Sequence, residues 1–208
     1  MLTELVGIEY EFTHDADKFI FHTGPKFNYS EKQFGEELFF FATQLLFEKK
    51  IRQQDLSVLD WMDTKAFFAT HPKYILPFDP FAASFYMVSR YEEHLPFIKD
   101  KHDRFEASQS LAFQKGFLHK PIVNIYAKKI REILAEAFPQ LVFKEKKYEY
   151  ISTIDIDNAW AFKEKGFLRT TGALLRSLSR FDFQSIIERV SVLVNKNPDP
   201  FYMYDHLF

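Results

Sequence analysis

Apolar positions recur along this chain at two periods, and the change between them separates strand-like from helical stretches. Val6 to Phe12 and Lys18 to Phe21 predict two short strands. His14-Asp15-Ala16-Asp17 would be the turn of their hairpin, and Gly24-Pro25 ends the unit. Glu37 to Glu48 carries Leu38-Phe39-Phe40-Phe41 and then Leu45-Leu46-Phe47, a run whose period fits a buried strand or a helix, with strands preferred. Asp60-Trp61-Met62-Asp63 and Ala66-Phe67-Phe68-Ala69 continue the sheet-like texture up to Pro72 and Pro77.

Helical periodicity then takes over. Asp79-Pro80 combines an N-cap acid with a proline at the first helical position, so a helix is predicted from there to about His94. Phe81, Phe85, Val88 and Ser89 form its expected inner face, with Ala82, Ala83 and Tyr86 beside them. The polar end, Arg90-Tyr91-Glu92-Glu93-His94, reads as a solvated helix end with local ion pairs rather than as a ligand site. After a polar turn at 100–104, Ser108 to Phe113 is a short helical piece. Pro121 to Phe138 is a long helix with Ile122, Ile125, Ile130, Ile133, Leu134 and Ala137 inward. Phe167 to Asn195 is helix-rich with a break at Arg180 to Phe183, and Asp199-Pro200 repeats the earlier start signal. The charged bridge Lys144 to Lys147 marks the expected domain boundary, giving an α+β domain at 1–145 and a second domain at 146–208.

The second domain opens on Tyr148 to Trp160. Tyr148, Tyr150, Ser152 and Ile154 alternate with Glu149, Ile151 and Thr153, and Ile154 and Ile156 flank Asp155, the composition of a buried strand. Asp155 and Asp157 would leave such a strand on one face, with Cα atoms about 6–7 Å apart. Two carboxylates so placed repel unless a cation or a shared proton lies between them. The same pair is also what a strand-ending turn or a helix cap uses, and the two readings stand side by side. Position favours chemistry, because α/β sheets and barrels carry their reacting groups at the carboxyl ends of strands.

Composition narrows the classes. With 208 residues and 47% hydrophobic content the chain supports a real core, and 18% aromatics mean that rings do much of the packing. A net charge of -2, from 27 basic and 29 acidic residues, offers no electrostatic reason to expect nucleic acid or an anionic membrane as partner. Without Cys, thiolate catalysis and Cys-ligated zinc are excluded, and any metal must be held by His, Asp or Glu. The N-terminus lacks the basic and apolar regions of a secretion signal and no window approaches 18 uninterrupted apolar residues, so a soluble, cytoplasmic protein is expected.

Thr153-Ile154-Asp155-Ile156-Asp157 resembles the first motif of the polysaccharide deacetylase family, in its Asp-x-Asp form. Phe81-Ala-Ala-Ser-Phe-Tyr, Ser89-Arg-Tyr-Glu-Glu, Arg104-Phe105 and the run from Tyr148 through Asp-Asn-Ala-Trp extend the likeness to bacterial proteins in which a poorly characterised N-terminal domain precedes that catalytic domain. The resemblance implies an α/β protein: the first strand and helices of a distorted (β/α) deacetylase barrel, truncated here, after the N-terminal α+β domain. It implies a hydrolase that removes acetyl groups from a sugar, with a carbohydrate substrate and with the remainder of the catalytic domain as partner. It further implies a divalent metal, often zinc, held by an Asp and a His-x-x-x-His pair. Carried over, Asp155 would be the general base and Asp157 the metal ligand. The metal would polarise the carbonyl and lower the pKa of its water to about 7. This sequence departs from the pattern, since no two of its seven His lie four apart. His94, His102 and His119 are the fallback ligands.

Two other readings compete. In haloacid dehalogenase-like phosphatases the first Asp of such a pair is a nucleophile and the second a general acid, with Mg²⁺ between acids. Those enzymes usually place Thr or Val where Ala159 stands here, which counts against that reading. Alternatively, residues 1–145 are a carbohydrate-binding or interaction domain and the chain has no activity of its own. His14 with Asp15 and Asp17 suggests a metal cluster, but acids in a hairpin turn are ordinarily solvated.

Overall fold

The carboxylate of Asp79 is fully buried and accepts five hydrogen bonds, and the N-terminal part of the chain is assembled around it. Its Oδ1 caps helix α2 (Pro80–Val88) by accepting from the backbone N–H groups of Phe81 and Ala82, each at 3.0 Å. Its Oδ2 accepts from the Tyr29 hydroxyl at 2.9 Å, the Thr43 N–H at 2.7 Å and the Thr43 hydroxyl at 2.8 Å. One side chain thus joins α2 to two segments far away in sequence. The computed structural model describes residues 1–145, 147–153 and 160–202. These fall into two units, Met1–Lys147 and Tyr148–Phe208. With 38% of residues helical and 9% in strands, this is a mixed helix-and-strand protein whose frame is mainly helical.

In the first unit, a π-helical turn at Leu2–Val6 ends at Gly7, whose φ of 85° suits glycine. Lys144 donates its N–H to the Gly7 carbonyl at 2.7 Å, and a Cβ at Gly7 would come within 2.8 Å of the Lys144 oxygen. The two ends of the unit therefore meet. The expected hairpin is not formed. Asp15 accepts from the N–H groups of Asp17 and Lys18 and caps helix α1 (Ala16–Phe21), so the acids expected in a turn start a helix instead.

Strand β1 (Phe27–Ser30) pairs in parallel with β2 (Leu38–Phe41), Phe27 opposite Leu38. Parallel neighbours usually need a crossover of a dozen or more residues. Here a short loop suffices because Asn28 Nδ2 donates to Glu37 and to the Lys32 carbonyl, while Glu37 accepts from the Phe34 and Gly35 N–H groups. Leu45-Leu46-Phe47 belongs to a 3-10 turn, Gln44–Phe47, rather than to the expected strand. Strands β3 (Leu59–Trp61) and β4 (Thr64–Ala66) form an antiparallel hairpin within the predicted sheet-like stretch.

Helix α2 starts where Asp79-Pro80 predicts, but its inner face is rotated from the expected one. Ala82, Ala83, Ser84 and Tyr86 are buried, while Phe85 and Val88 are exposed. Small residues win that face because α2 packs closely on helix α4 (Ile122–Ala137). The α-helix ends at Val88, and Arg90, with φ 53°, separates it from a 3-10 turn at Tyr91–His94. Beyond it Tyr91 is buried and exchanges hydrogen bonds with the backbone of Arg52, and Glu92 accepts from the Leu111 N–H at 2.7 Å. This end is a tether rather than a solvated tip, although Arg90 and Glu93 do form the local ion pair. The tethered Leu111 opens the short helix α3 (Leu111–Gln114).

The long helix α4 buries Ile122, Ile130, Ile133 and Leu134 as expected, but also Tyr126 and Ala127 in place of Ile125 and Ala137. Tyr126 lies against Trp61 and Phe78 and donates its hydroxyl to the Lys65 carbonyl at 2.6 Å, an amphipathic solution that a count of aliphatic positions misses. Phe67 and Phe78 complete the core, each such burial contributing about 1.5–3 kcal/mol.

In the second unit, Tyr148 to Thr153 forms no strand, and Tyr148, Tyr150 and Ile151 are exposed, contrary to the buried strand expected there. Residues 154–159 lie outside the described residues. Helices α5 (Phe167–Ser179) and α6 (Phe183–Leu193) are separated at the predicted break, where Phe181 has φ 56° and Asp182 caps α6 through Ser185. No barrel is present among the described residues. Among them, too, no helix is long and apolar enough to cross a membrane.

Replacing Asp79 by Asn keeps the cap acceptor but turns an amide donor towards the hydroxyls and N–H that Oδ2 now accepts from. Asp79→Asn is expected to lower stability by about 1–3 kcal/mol, measured by urea denaturation with an unchanged slope.

Candidate functional site

Asp155 and Asp157 lie outside the described residues, so their geometry does not enter the description of any site. Among the described residues no three His, Asp or Glu side chains converge on a position that could hold a metal ion. His94, His102 and His119 are each exposed. His14, Asp15 and Asp17 likewise form no such group, Asp15 being occupied by its cap. Two concave surfaces of the first unit lie elsewhere, each with one lining residue bonded to Asp79.

The larger is a groove of about 930 Å³. Ligand pockets are typically apolar and aromatic with a few polar groups on the rim, and this one fits that description. Its walls come from the extended segment Ile8 to His14, from α1, from β1, from the 3-10 turn at Leu46 and Phe47, and from Leu134, Phe138 and Leu141 at the end of α4 and beyond. The Tyr29 ring stacks on Phe47 at 6.0 Å and meets Phe81 edge-on at 4.8 Å. Tyr29 is fixed from below by Asp79, and burial together with that carboxylate pushes its hydroxyl far above the ordinary phenol range. It serves as a rigid wall and not as an acid. Tyr10 and Phe12, also in the lining, meet edge to face at 4.9 Å, with Phe12 almost wholly exposed. Glu9, Glu11, His14, Lys18 and His22 supply the polar groups. Lys26 is already committed, its Nζ donating to the carbonyls of Phe19, Ile20 and His22 at the end of α1.

The smaller depression, about 390 Å³, is polar and is lined by Thr43, Gln44, Glu48, Arg52, Gln53 and Asp55 among others. Much of its lining is internally paired. Arg52 and Glu48 form an ion pair, Gln54 donates to Glu48 at 3.0 Å, and Gln44 donates to Glu31. Thr43, at its edge, is held by the same Asp79 oxygen that holds Tyr29. Burial pushes the Asp79 carboxyl up in spite of the hydrogen bonds it accepts.

Sequence patterning did not single out this groove. Tyr10, Phe12 and Phe47 read as strand residues with no chemistry attached. The signal that existed was an excess of large aromatics in stretches that form no sheet.

The second unit holds another buried acid. Asp199 is 3% exposed and accepts four backbone N–H groups, Ala161 at 2.7 Å and Phe201 at 3.0 Å on Oδ1, Phe162 at 2.9 Å and Lys163 at 3.1 Å on Oδ2. Trp160 stacks on Tyr202 at 5.3 Å beside it. The chain at 160–163 and at 199–202 is thereby clasped together.

The family of unknown function DUF7033 matches residues 1–139, and the chain belongs to that family. No curated protein and no solved structure matches it. The matched span contains the polar depression and nearly all of the aromatic groove, and it ends before Asp155 and Asp157.

Burial pushes the Asp199 carboxyl up, but its four N–H donors together outweigh that and hold it at about 2, below the ordinary aspartate value of about 3.9. Its contribution to the clasp is therefore complete above pH of about 4 and is lost as pH falls towards 2. The amide resonances of Ala161 and Phe162, followed by NMR between those limits, are expected to shift together with a midpoint near the lower one.

Proposed function

We propose that the first unit of this DUF7033 protein is a carbohydrate-binding module, and that the chain belongs to a system for metal-dependent deacetylation of sugars. The observation that supports this best is the aromatic groove. Flat rings in its lining, the Tyr29–Phe47 pair and the Tyr10–Phe12 pair, suit the apolar faces of sugar rings and the methyl of an acetamido group. Glu9, Glu11 and His14 in the same lining suit their hydroxyls and amides. The volume is at the upper end of the range for small-ligand sites, room for more than one sugar ring.

The catalytic half of the proposal rests on the sequence around Asp155 and Asp157, with the first as general base and the second as metal ligand. A catalytic zinc normally takes three protein ligands, and no three His, Asp or Glu side chains converge among the described residues.

Calorimetric titration of the 208-residue chain with oligomers of N-acetylglucosamine tests the binding module. Saturable binding is expected, weakened about tenfold by Phe12→Ala or Phe47→Ala and unchanged by Gln53→Ala in the polar depression. Absence of saturable binding, or equal loss in the Gln53→Ala variant, would refute the groove as the site.

Titration of the same chain with Zn²⁺, coupled to an acetate-release assay, tests the catalytic half. Binding weaker than micromolar and no turnover are expected. Micromolar affinity with turnover would mean that the ligand set differs from the one proposed, and His94, His102 and His119 would be exchanged first.

A further inference from the structure

Between Ile8 and Gly24 the chain leaves the core of the first unit. Every residue from Glu9 to Thr23 is exposed except Phe19, which is half-buried, and α1 within that stretch buries no residue at all. Both ends are seated. Ile8 is buried and donates its N–H to the Leu2 carbonyl, beside the Gly7 carbonyl that holds Lys144. Past the other end, Phe27 of β1 meets the buried Phe40 edge-on at 5.4 Å. Residues 9–23 are therefore a strap, fixed at its two ends and carrying no core residue between them.

Most of the polar contacts in the strap are internal to it. Asp15 caps α1, the Thr13 hydroxyl accepts from the Asp15 N–H, and Tyr10 packs on Phe12. Among the described residues, every hydrogen bond that ties the strap to the rest of the unit comes from one side chain. Lys26 Nζ donates to the carbonyls of Phe19 at 2.9 Å, Ile20 at 2.8 Å and His22 at 2.8 Å, and lies 5.0 Å from the centre of the Phe19 ring. No ion pair joins the strap to the unit among those residues. The Phe19 ring also leans on Phe34 at 6.1 Å, but Phe34 is itself exposed. An ammonium has three donors, and the three carbonyls use all of them. A helix as short as α1 does not hold itself together in water, and a segment with few buried apolar contacts opens at a lower free energy than the core beside it. Release of Lys26 would thus free α1 without disturbing the core.

The strap also supplies nearly half of the lining of the aromatic groove, Tyr10, Phe12, His14 and Phe19 among it, while Tyr29, Phe47 and Leu134 belong to the body of the unit. A ligand can touch both shares of the lining only while the strap is seated. We infer that residues 9–23 are a lid on the groove and that Lys26 is its latch. With the three bonds made the groove is complete; with them broken the strap moves out on its two seated ends and leaves only the rings of the body. A bound ligand favours the seated state through the contacts which that state alone offers. The gating rests on the groove being a binding site, whereas the opening of the strap does not.

Native-state hydrogen exchange of the 208-residue chain is the test. The amides of Phe19, Ile20 and Phe21 are expected to exchange through a local opening whose rate does not change with low concentrations of urea, while those of Tyr126 to Leu134 in α4 follow the urea dependence of global unfolding. Lys26→Met is expected to speed exchange in α1 about tenfold and to leave α4 unchanged. Equal protection and equal urea dependence of the two helices in the wild-type chain would overturn the inference, as would a folded Lys26→Met variant with unaltered α1. Should that variant lose protection in α4 as well, the urea dependence of the wild-type chain decides by itself. For the gating, an oligomer of N-acetylglucosamine is expected to slow exchange in α1 and to dissociate about tenfold faster from Lys26→Met than from the wild-type chain. Binding that leaves exchange in α1 untouched would overturn the lid. Absence of binding would instead refute the carbohydrate reading of the groove, and the exchange of the free chain would still decide whether the latch opens.

Discussion

The first unit depends on a carboxylate that water does not reach. A buried Asp is costly unless its oxygens are matched by donors, and Asp79 gathers five, two from the first turn of α2 and three from Tyr29 and Thr43. Because these donors come from segments 36 and 50 residues away, the acid can be satisfied only when α2, β1 and the turn after β2 are all in place. The cost of burial becomes a condition on assembly. It also fixes a wall residue of each depression, Tyr29 in the groove and Thr43 at the polar edge, so ligand-contacting surface and core share one organising group.

How much was legible in the sequence follows from where each signal lives. Asp79-Pro80 is a local signal, and α2 begins where it says; the start of α4 and the break between α5 and α6 are equally local. The face of α2 is a tertiary property. Alanines win it over Phe85 and Val88 because the neighbouring helix lies close, and hydrophobicity alone ranks those residues the other way. The turn chemistry of His14 to Asp17 was recognised, but Asp15 spends it on a helix cap, a choice the local residues leave open. The partners of Asp79 were not legible at all, since nothing in Tyr29 or Thr43 announces a contact across dozens of residues.

The candidate chemistry divides along the same line. Asp155 and Asp157 were visible as a motif because their spacing is local, and they remain a sequence-level proposal. The groove was invisible as a site because its rings come from stretches separated by more than a hundred residues, from Tyr10 to Phe138, and only folding brings them to one surface. Aromatic content of 18% pointed to packing in general and not to a place.

The chain uses Asp-Pro twice, and the two acids diverge for a physical reason. Asp79 is fully buried, so loss of hydration outweighs its hydrogen bonds and its carboxyl is pushed up. Asp199 is as well hidden by the backbone it binds, but it sits in a small unit with little protein around it, and its four N–H donors prevail. The signs of their linkage to pH are therefore opposite. A carboxyl that is pushed up favours the folded state most when protonated and costs stability as pH rises through its folded value, whereas one held down does so as pH falls through its own. Acidification should then loosen the clasp of the second unit while relieving the ionisation cost at Asp79. In acid the clasp at Asp199 is predicted to open while the core around Asp79 persists, measured by comparing the amide resonances of Ala161 and Phe162 with those of Phe81 and Ala82 as pH falls.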